Sequence, residues 1–574
     1  MKYFLLLVLA LQSACADPSA APPFKPVTRE HAISLDKRYL LLPVKSRPKE
    51  IPKQRASLIV DGVTVRKFNI ELDEKPDWFA HLDVSEWKGR TATLRIDNLP
   101  EQSTAADLVS NSDEVWNAAG LYNEPLRPQL QFSTRCGWIN DPNGLVFYNG
   151  EYHIFFQHSP YSWTGGGPHW GHATSTDLVH WKEHGEAVYP DDLGGPWSGS
   201  AVVDWKNTSG FGKGGKPPLV LIYSHVGNPA TQHISYSTDG RTFTKFDGNP
   251  VLKNISYLNR DPKVFWHEPT QRWVMVLYVG EGSAEPGKPM PGHTIQFLTS
   301  PNLREWTPAS VTKGGGGYDF YLYECPDFFE LPVDGDISKR KWVLLGADSA
   351  YAVGSFDGTK FTPEEERIQG QSRRGCFYAP QTFSDTPDGR RIQIGWGQAP
   401  APGMPFNQLL TMPCELQLRK TPEGVRLRRI PVKELETLRG KSWKADRSTL
   451  AEGDANPLAH ARGELLEIRA DFTPAADSEV TFNVRGVEIR YSAVTQEISG
   501  PDVHAPAPLQ NGRQVITIFA DRNYFNVLAA DGFTYMPFPV IPKPENLAVG
   551  VSVKGGAITL HRLEVFELKS IWNK

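Results

Sequence analysis

Four prolines set the rhythm of the middle of this chain. Pro142, Pro262, Pro326 and Pro380 each stand shortly before a Phe or a Val-Phe. After each comes a polar turn and then an apolar run, at Tyr152 to Phe156, Trp273 to Tyr278, Lys341 to Leu345 and Arg391 to Ile394. The spacings between the prolines are 120, 64 and 54 residues (262 − 142, 326 − 262, 380 − 326). The first gap has room for one more repeat, opened by Trp197 to Val203 and continued by Leu219 to Tyr223. Repeats of about 40 to 50 residues with four strands each are the mark of propeller blades, and the longer spacing here implies generous loops. The pattern therefore predicts an all-β fold centred on a five-bladed β-propeller over 126–430.

The flanks also read as β structure. Between 38 and 99 apolar and polar residues alternate in short runs, and Asp61-Gly62 between two of them is a tight-hairpin signal. This predicts an N-terminal, sandwich-like accessory domain at 27–125. After a connector at 431–440, with a helix-like stretch from Val432 to Leu438, alternation resumes, and 441–574 is expected to form a C-terminal β-sandwich. The extreme N-terminus, Met1-Lys2 followed by an apolar run and Ala14-Cys15-Ala16, has the form of a secretory signal peptide at 1–16. A secreted or periplasmic protein is the expectation, with Cys15 as an alternative site for a lipid anchor. No other apolar run is long enough to span a membrane.

Composition narrows the chemistry. With 61 Lys plus Arg against 65 Asp plus Glu, the net charge is −4, without the basic excess that nucleic-acid binding needs. Sixteen Trp supply flat apolar faces of the kind that stack on sugar rings. Cys136, Cys325, Cys376 and Cys414 are too few and scattered for a disulfide framework or a metal cluster, and are expected to be free and mostly buried. His153, His158, His169 and His172 lack metal-ligand spacing and read as core or polar lining. No cofactor and no metal are expected.

In a propeller the innermost strand of each blade lines the central channel, so equivalent positions form a ring. Asp141 and Asp261 each directly precede their proline, and Glu324 lies one residue further upstream of Pro326. Strand alternation would turn Glu324 away from the other two unless a bulge intervenes, and the sequence alone leaves this conflict open. Three carboxylates at one mouth suit glycoside cleavage, in which one attacks the anomeric carbon, another protonates the leaving oxygen, and further charge steadies an oxocarbenium-like transition state. Arg260 is expected to hold a neighbouring carboxylate ionised or to fork onto sugar hydroxyls. Gln157, at the end of a strand, is either a sugar ligand or a satisfied buried amide.

These segments resemble glycoside hydrolase family 32, the β-fructosidases that include invertases, inulinases and levanases. The likeness rests on Trp138 to Gly144 (WINDPNG), Arg260-Asp261-Pro262 and Glu324-Cys325-Pro326-Asp327, with support from Phe155-Phe156-Gln157, Trp170 to Ala173, Trp197 to Ser200, Tyr378 to Gln381 and Gly395-Trp396-Gly397. The resemblance implies a five-bladed propeller followed by a β-sandwich. It also implies a retaining mechanism with Asp141 as nucleophile, Glu324 as general acid and base, and Asp261 as transition-state stabiliser. Asn140, Gln157, Trp163, Trp197, Ser198, Arg260 and Trp396 would shape the pocket for a terminal fructose of a fructan or of sucrose. Three departures stand out: Trp197 where many members carry Phe, Asn526 where the family's sandwich carries Glu, and the extra N-terminal domain. A fructosyltransferase would share all three acids, whereas a non-catalytic fructan-binding protein would be expected to lose Asp141 or Glu324.

Overall fold

A computed structural model of the chain describes residues 25–47, 53–227, 229–256, 258–280, 292–313, 322–365, 367–369, 376–446 and 448–572. The signal-peptide stretch 1–16 and Cys15 lie outside the described residues. The chain divides into two compact units, one of Met1–Ala119 with Cys136–Trp138 and His158–Pro168, the other of Gly120–Arg135, Ile139–Gln157 and His169–Lys574.

The first unit is built from two antiparallel sheets. One has the spatial order Pro26–Ser34, Thr91–Pro100, Gln54–Val60, Val63–Ile70, and the other Trp78–Asp83, Tyr39–Val44, Ser110–Ser112. Alternation is strict where it was expected: in Gln54–Val60 every second residue is buried, as in Trp78–Asp83. Val60 pairs with Val63 across Asp61 and Gly62, whose φ values of 50° and 77° are those of a two-residue hairpin turn. The inward residues, among them Leu40, Leu58, Trp78, Leu94 and Ile96, form one core. This unit also holds the segment 158–168 by side chains: Lys53 Nζ donates to Ser162 Oγ and to the carbonyls of Thr164 and Gly165, and the buried Glu71 accepts from the Trp163 N–H and the Thr164 hydroxyl.

The second unit contains the five blades and the C-terminal sandwich. From the inside outward the blades are Gly137–Tyr148, Glu151–Ser159, His169–Ser175 and Lys182–Glu183; Gly195–Val203, Leu219–Val226, Ala230–Ser237 and Thr244–Lys245; Leu258–His267, Arg272–Gly280, His293–Ser300 and Thr307–Lys313; Asp327–Val333, Asp336–Leu345, Tyr351–Phe356 and Phe361–Pro363; and Phe377–Thr382, Ile392–Gly397, Cys414–Thr421 and Gly424–Pro431. Near-continuous burial of the second strands, as in Leu219–Val226 and Arg272–Gly280, reflects packing on both faces between neighbouring blades.

A 3-10 helix at Lys433–Leu438 leads into the sandwich. A sheet running Arg439–Lys444, Ile558–Leu568, Leu466–Pro474, Gln514–Ala520, Tyr524–Ala529, Thr534–Pro539 faces one running Val503–Pro506, Glu497–Gly500, Val487–Ser492, Glu479–Val484, Val549–Lys554. Ile468, Phe472, Ile518 and Phe525 of the first share a core with Phe482, Ile489 and Val551 of the second. Asn526 is buried here, donating to Gln131 Oε1 and accepting from the Tyr535 hydroxyl, so an amide fills the position with both its polar atoms used.

Candidate active site

The innermost strands carry a repeated irregularity that aims the site. In the third blade Arg260 pairs with Tyr278 and Lys263 with Val276, leaving Asp261 and Pro262 opposite one residue. The same two-against-one bulge places Trp197 and Ser198 opposite Ser224 in the second blade, and Ala379 and Pro380 opposite Gly395 in the fifth. A proline has no N–H to lose to a broken ladder, so it sits at a bulge without cost to pairing. At Asp261, φ is 61°, and its displaced N–H donates instead to Ser224 Oγ at 2.9 Å.

The fourth blade solves the same problem differently. Glu324 and Cys325 precede the strand Asp327–Val333 and have φ of 51° and 40°. Alternation does not govern Glu324, because two successive left-handed residues turn its side chain before the strand begins. This resolves the phase conflict posed by the sequence.

Around the acids the contacts are short and specific. Ser198 Oγ donates to Asp141 Oδ2 at 2.7 Å, and Asn140 Nδ2 donates to Oδ1 at 3.3 Å. Arg260 Nη2 donates to Glu324 Oε1 at 2.5 Å, while its Nε approaches Asp261 Oδ2 only to 3.7 Å. Arg260 is 7 % exposed, and its guanidinium lies over the Tyr278 ring with its carbon 4.3 Å from the centroid. Tyr378 donates its hydroxyl to Glu324 Oε2 at 2.6 Å. The Cys325 N–H donates to Asp261 Oδ2 at 3.0 Å, and its thiol lies 3.5 Å from that oxygen and 3.8 Å from Asp141 Oδ2. The two aspartates, Glu324 and Arg260 thus form one connected group.

Electrostatics follow from burial. Desolvation pushes the Asp141 carboxyl up to about 6; the Ser198 hydrogen bond opposes this and the charge of Glu324 adds to it. Asp261 rises to about 7, again chiefly by desolvation, with Arg260 pulling down and Glu324 and Asp141 pushing up. Arg260, beside Asp261, was expected to hold one carboxylate ionised or to fork onto sugar hydroxyls. It gives its short bond to Glu324, and at 3.7 Å it does not offset the burial of Asp261.

The remaining expected residues are distributed as follows. Gln157 is 4 % exposed and donates to the Pro196 carbonyl at 3.1 Å, tying the first blade to the second. Trp197 is half-buried and its carbonyl accepts from the Trp170 indole. Trp396 donates to Gln408 Oε1 and meets the Tyr378 ring edge-on. Trp163 belongs to the first unit, on the segment held by Glu71 and Lys53. Among the described residues, Cys136, Cys325, Cys376 and Cys414 are free thiols; three are buried and Cys325 is partly so. His153 and His172 are buried, 3.0 Å apart and stacked, as core histidines.

Tyr378 and Cys325 had no role assigned from sequence. The signal was available in the prolines: two residues before them stand Asn140, Arg260, Glu324 and Tyr378, and one before them Asp141, Asp261, Cys325 and Ala379. All but Ala379 belong to the hydrogen-bonded group just described.

Comparison with known proteins places this geometry. Residues 131–431 match the model of the glycosyl hydrolases family 32 N-terminal domain. The chain is 38% identical over 499 residues to a levanase of Bacillus subtilis, covering 79% of this chain and 72% of that one. It is 37% identical over 333 residues to an invertase of Schizosaccharomyces pombe, covering 53% and 55% respectively. The crystal structure of an exo-inulinase from Aspergillus awamori superposes with a TM-score of 0.70 at 28% identity, over 79% of this chain and all of the other.

Proposed function

The chain belongs to glycoside hydrolase family 32 and is a β-fructosidase of the fructan- and sucrose-cleaving type; on that premise we propose that it works by retaining double displacement, with Asp141, Glu324 and Asp261 as its acids. In the first step an Asp141 oxygen attacks the anomeric carbon of the fructosyl unit while the bond to the leaving oxygen breaks, and Glu324 gives that oxygen its proton. In the second step Glu324, now a carboxylate, takes a proton from water, which displaces Asp141 and releases fructose. Asp261 stabilises the positive charge that develops on the ring in both transition states. Asn140, Gln157, Trp197, Ser198, Arg260 and Trp396 grip the sugar.

The observation that carries this reading is the pairing of Glu324 with Arg260 and Tyr378 at 2.5 and 2.6 Å, next to an Asp141 held by Ser198 at 2.7 Å. One carboxyl is oriented from two sides for proton transfer and the other is held by a neutral donor for attack. Asp141→Asn and Glu324→Gln should each lower kcat by a factor of a thousand or more, on the order of what removal of a nucleophile or acid costs. Unchanged turnover in either would refute the roles. Incubation with levan, inulin and sucrose, with products resolved by chromatography, separates hydrolysis from transfer: free fructose supports the hydrolase, and growing oligosaccharides at high sucrose support a fructosyltransferase.

Export rests on the signal-like segment 1–16, with lipidation at Cys15 as the alternative. Among the described residues no helix is long and apolar enough to cross a membrane. Mass spectrometry of the mature N-terminus distinguishes cleavage after Ala16 from a lipid-modified Cys15.

A further inference from the structure

Directly after the catalytic positions, the innermost strands of three blades meet in a buried ion pair. Lys263, two residues after Asp261, reaches Asp327, three residues after Glu324, with 2.7 Å between Nζ and Oδ1. The same ammonium donates to the carbonyl of Thr382 at 3.0 Å, four residues after Tyr378. The Lys263 and Asp327 side chains are 2% and 1% exposed, and their bonds run to each other, to Thr382 and to Phe328. Asp327 Oδ1 also accepts the Phe328 N–H at 3.1 Å, so the carboxylate is fixed to its own strand as well.

Burying such a pair is costly, and apolar side chains of like volume would hold three blades together equally well. What an ammonium between a carboxylate and a carbonyl adds is a fixed mutual register of three strands. Each of these strands carries or directly follows one part of a single constellation: Asp261 and Arg260 on the strand of the third blade, Glu324 and Cys325 in the turn that leads into that of the fourth, Tyr378 on that of the fifth. Only a few backbone bonds separate the pin from those groups, and two of the intervening segments are a bulge and a left-handed turn, which transmit a shift of the strand directly to the side chains.

We propose that Lys263 and Asp327 are positioning residues for catalysis: an axial ionic pin that sets the separation of Glu324, Asp261 and Tyr378. The inference rests on the catalytic reading above and goes beyond it. Displacements of the order of 1 Å at reacting groups cost about a hundredfold in rate. Ser198 and Trp197 lie on the innermost strand of the second blade and Asn140 on that of the first, outside the three strands that the pin joins, so substrate grip depends on it less than chemistry does.

The test compares wild type, Asp327→Asn, Lys263→Met and the double variant Lys263→Met/Asp327→Leu by steady-state kinetics on sucrose and by thermal unfolding, with Asp141→Asn as a parallel control. The single variants strand one buried charge or dipole and should lose Tm. The double variant removes both charges and should regain most of that Tm while kcat stays about 10- to 100-fold below wild type and KM stays within about twofold. A double variant, or a folded single one, with kcat within twofold of wild type beside an inactive Asp141→Asn would overturn the pin while leaving the catalytic trio standing. A kcat that recovers in step with Tm would also overturn it, since the pair would then be structural only. An active Asp141→Asn would overturn the trio and the pin with it.

Discussion

Ser198 donates the shortest hydrogen bond to Asp141, and it acts against the desolvation that raises that carboxyl to about 6. A hydrogen bond to a charged group is worth about 1.5 to 3 kcal/mol, or roughly one to two pH units. Ser198→Ala should therefore move the acid limb of the kcat/KM profile about one unit toward higher pH, and a limb that stays in place would separate Ser198 from the ionisation of Asp141. Asp261 makes a prediction of opposite kind. Its folded value of about 7 lies above the ordinary 3.8, so it favours the folded state only while protonated: its contribution is intact below about pH 4 and is lost as pH rises toward 7. Asp261→Asn mimics the protonated form. Its Tm should match wild type near pH 4.5 and exceed it by on the order of 5 °C at pH 8, with activity lost at both. Equal Tm at pH 8 would show that burial does not strain this carboxylate. The gain is what a site that trades stability for function predicts.

At the scale of the element, the bulge is the device that turns a propeller strand into part of an active site. Gly199 follows the bulged Ser198, and a β-carbon there would lie 2.1 Å from the Ile222 carbonyl oxygen and 2.6 Å from the Tyr223 Cα. Those are backbone atoms of the paired strand and cannot rotate away, so Gly199→Ala must spread the strands. We expect a loss of about 1 to 3 kcal/mol in unfolding free energy and at least a tenfold fall in kcat/KM, because Ser198 moves with the strand. Denaturant unfolding and kinetics on sucrose check both parts, and a variant with wild-type kcat/KM would show that the bulge tolerates displacement. The proline spacing made four repeats and their order legible, and its widest gap the remaining one, because four of the five innermost strands carry or adjoin the same chemical punctuation. It did not reveal how Glu324 joins the two aspartates, since alternation is a rule for residues inside a strand and Glu324 stands in a left-handed turn before one.

In the larger unit, sandwich and propeller share buried surface, with Phe519, Leu528 and Tyr535 packed in one cluster with Phe132, Phe377 and Leu410. One polar element of that contact is Asp521, fully buried, whose carboxylate accepts the backbone N–H groups of Gln129 and Leu130 at 2.8 Å each. Asp521→Ala leaves both donors without an acceptor, at about 1 to 3 kcal/mol apiece. Calorimetry should show Tm lowered by several degrees while kcat/KM at 25 °C stays within twofold, since none of these groups touches the acids; a collapse of kcat/KM with the fold intact would instead make the sandwich part of the catalytic machinery. By itself the sequence determined the β repeat, the expected blade number, the hairpin at Asp61-Gly62 and which three acids are proposed for the chemistry, because periodicity, turn chemistry and residue type are local properties. Tertiary structure alone decided which acid Arg260 serves, that Tyr378 and Cys325 complete the group, that burial raises Asp141 and Asp261, and that Lys263 meets Asp327. Each of those is a distance between side chains 54 to 184 residues apart, or the dielectric they share, and such quantities exist only once the blades have closed.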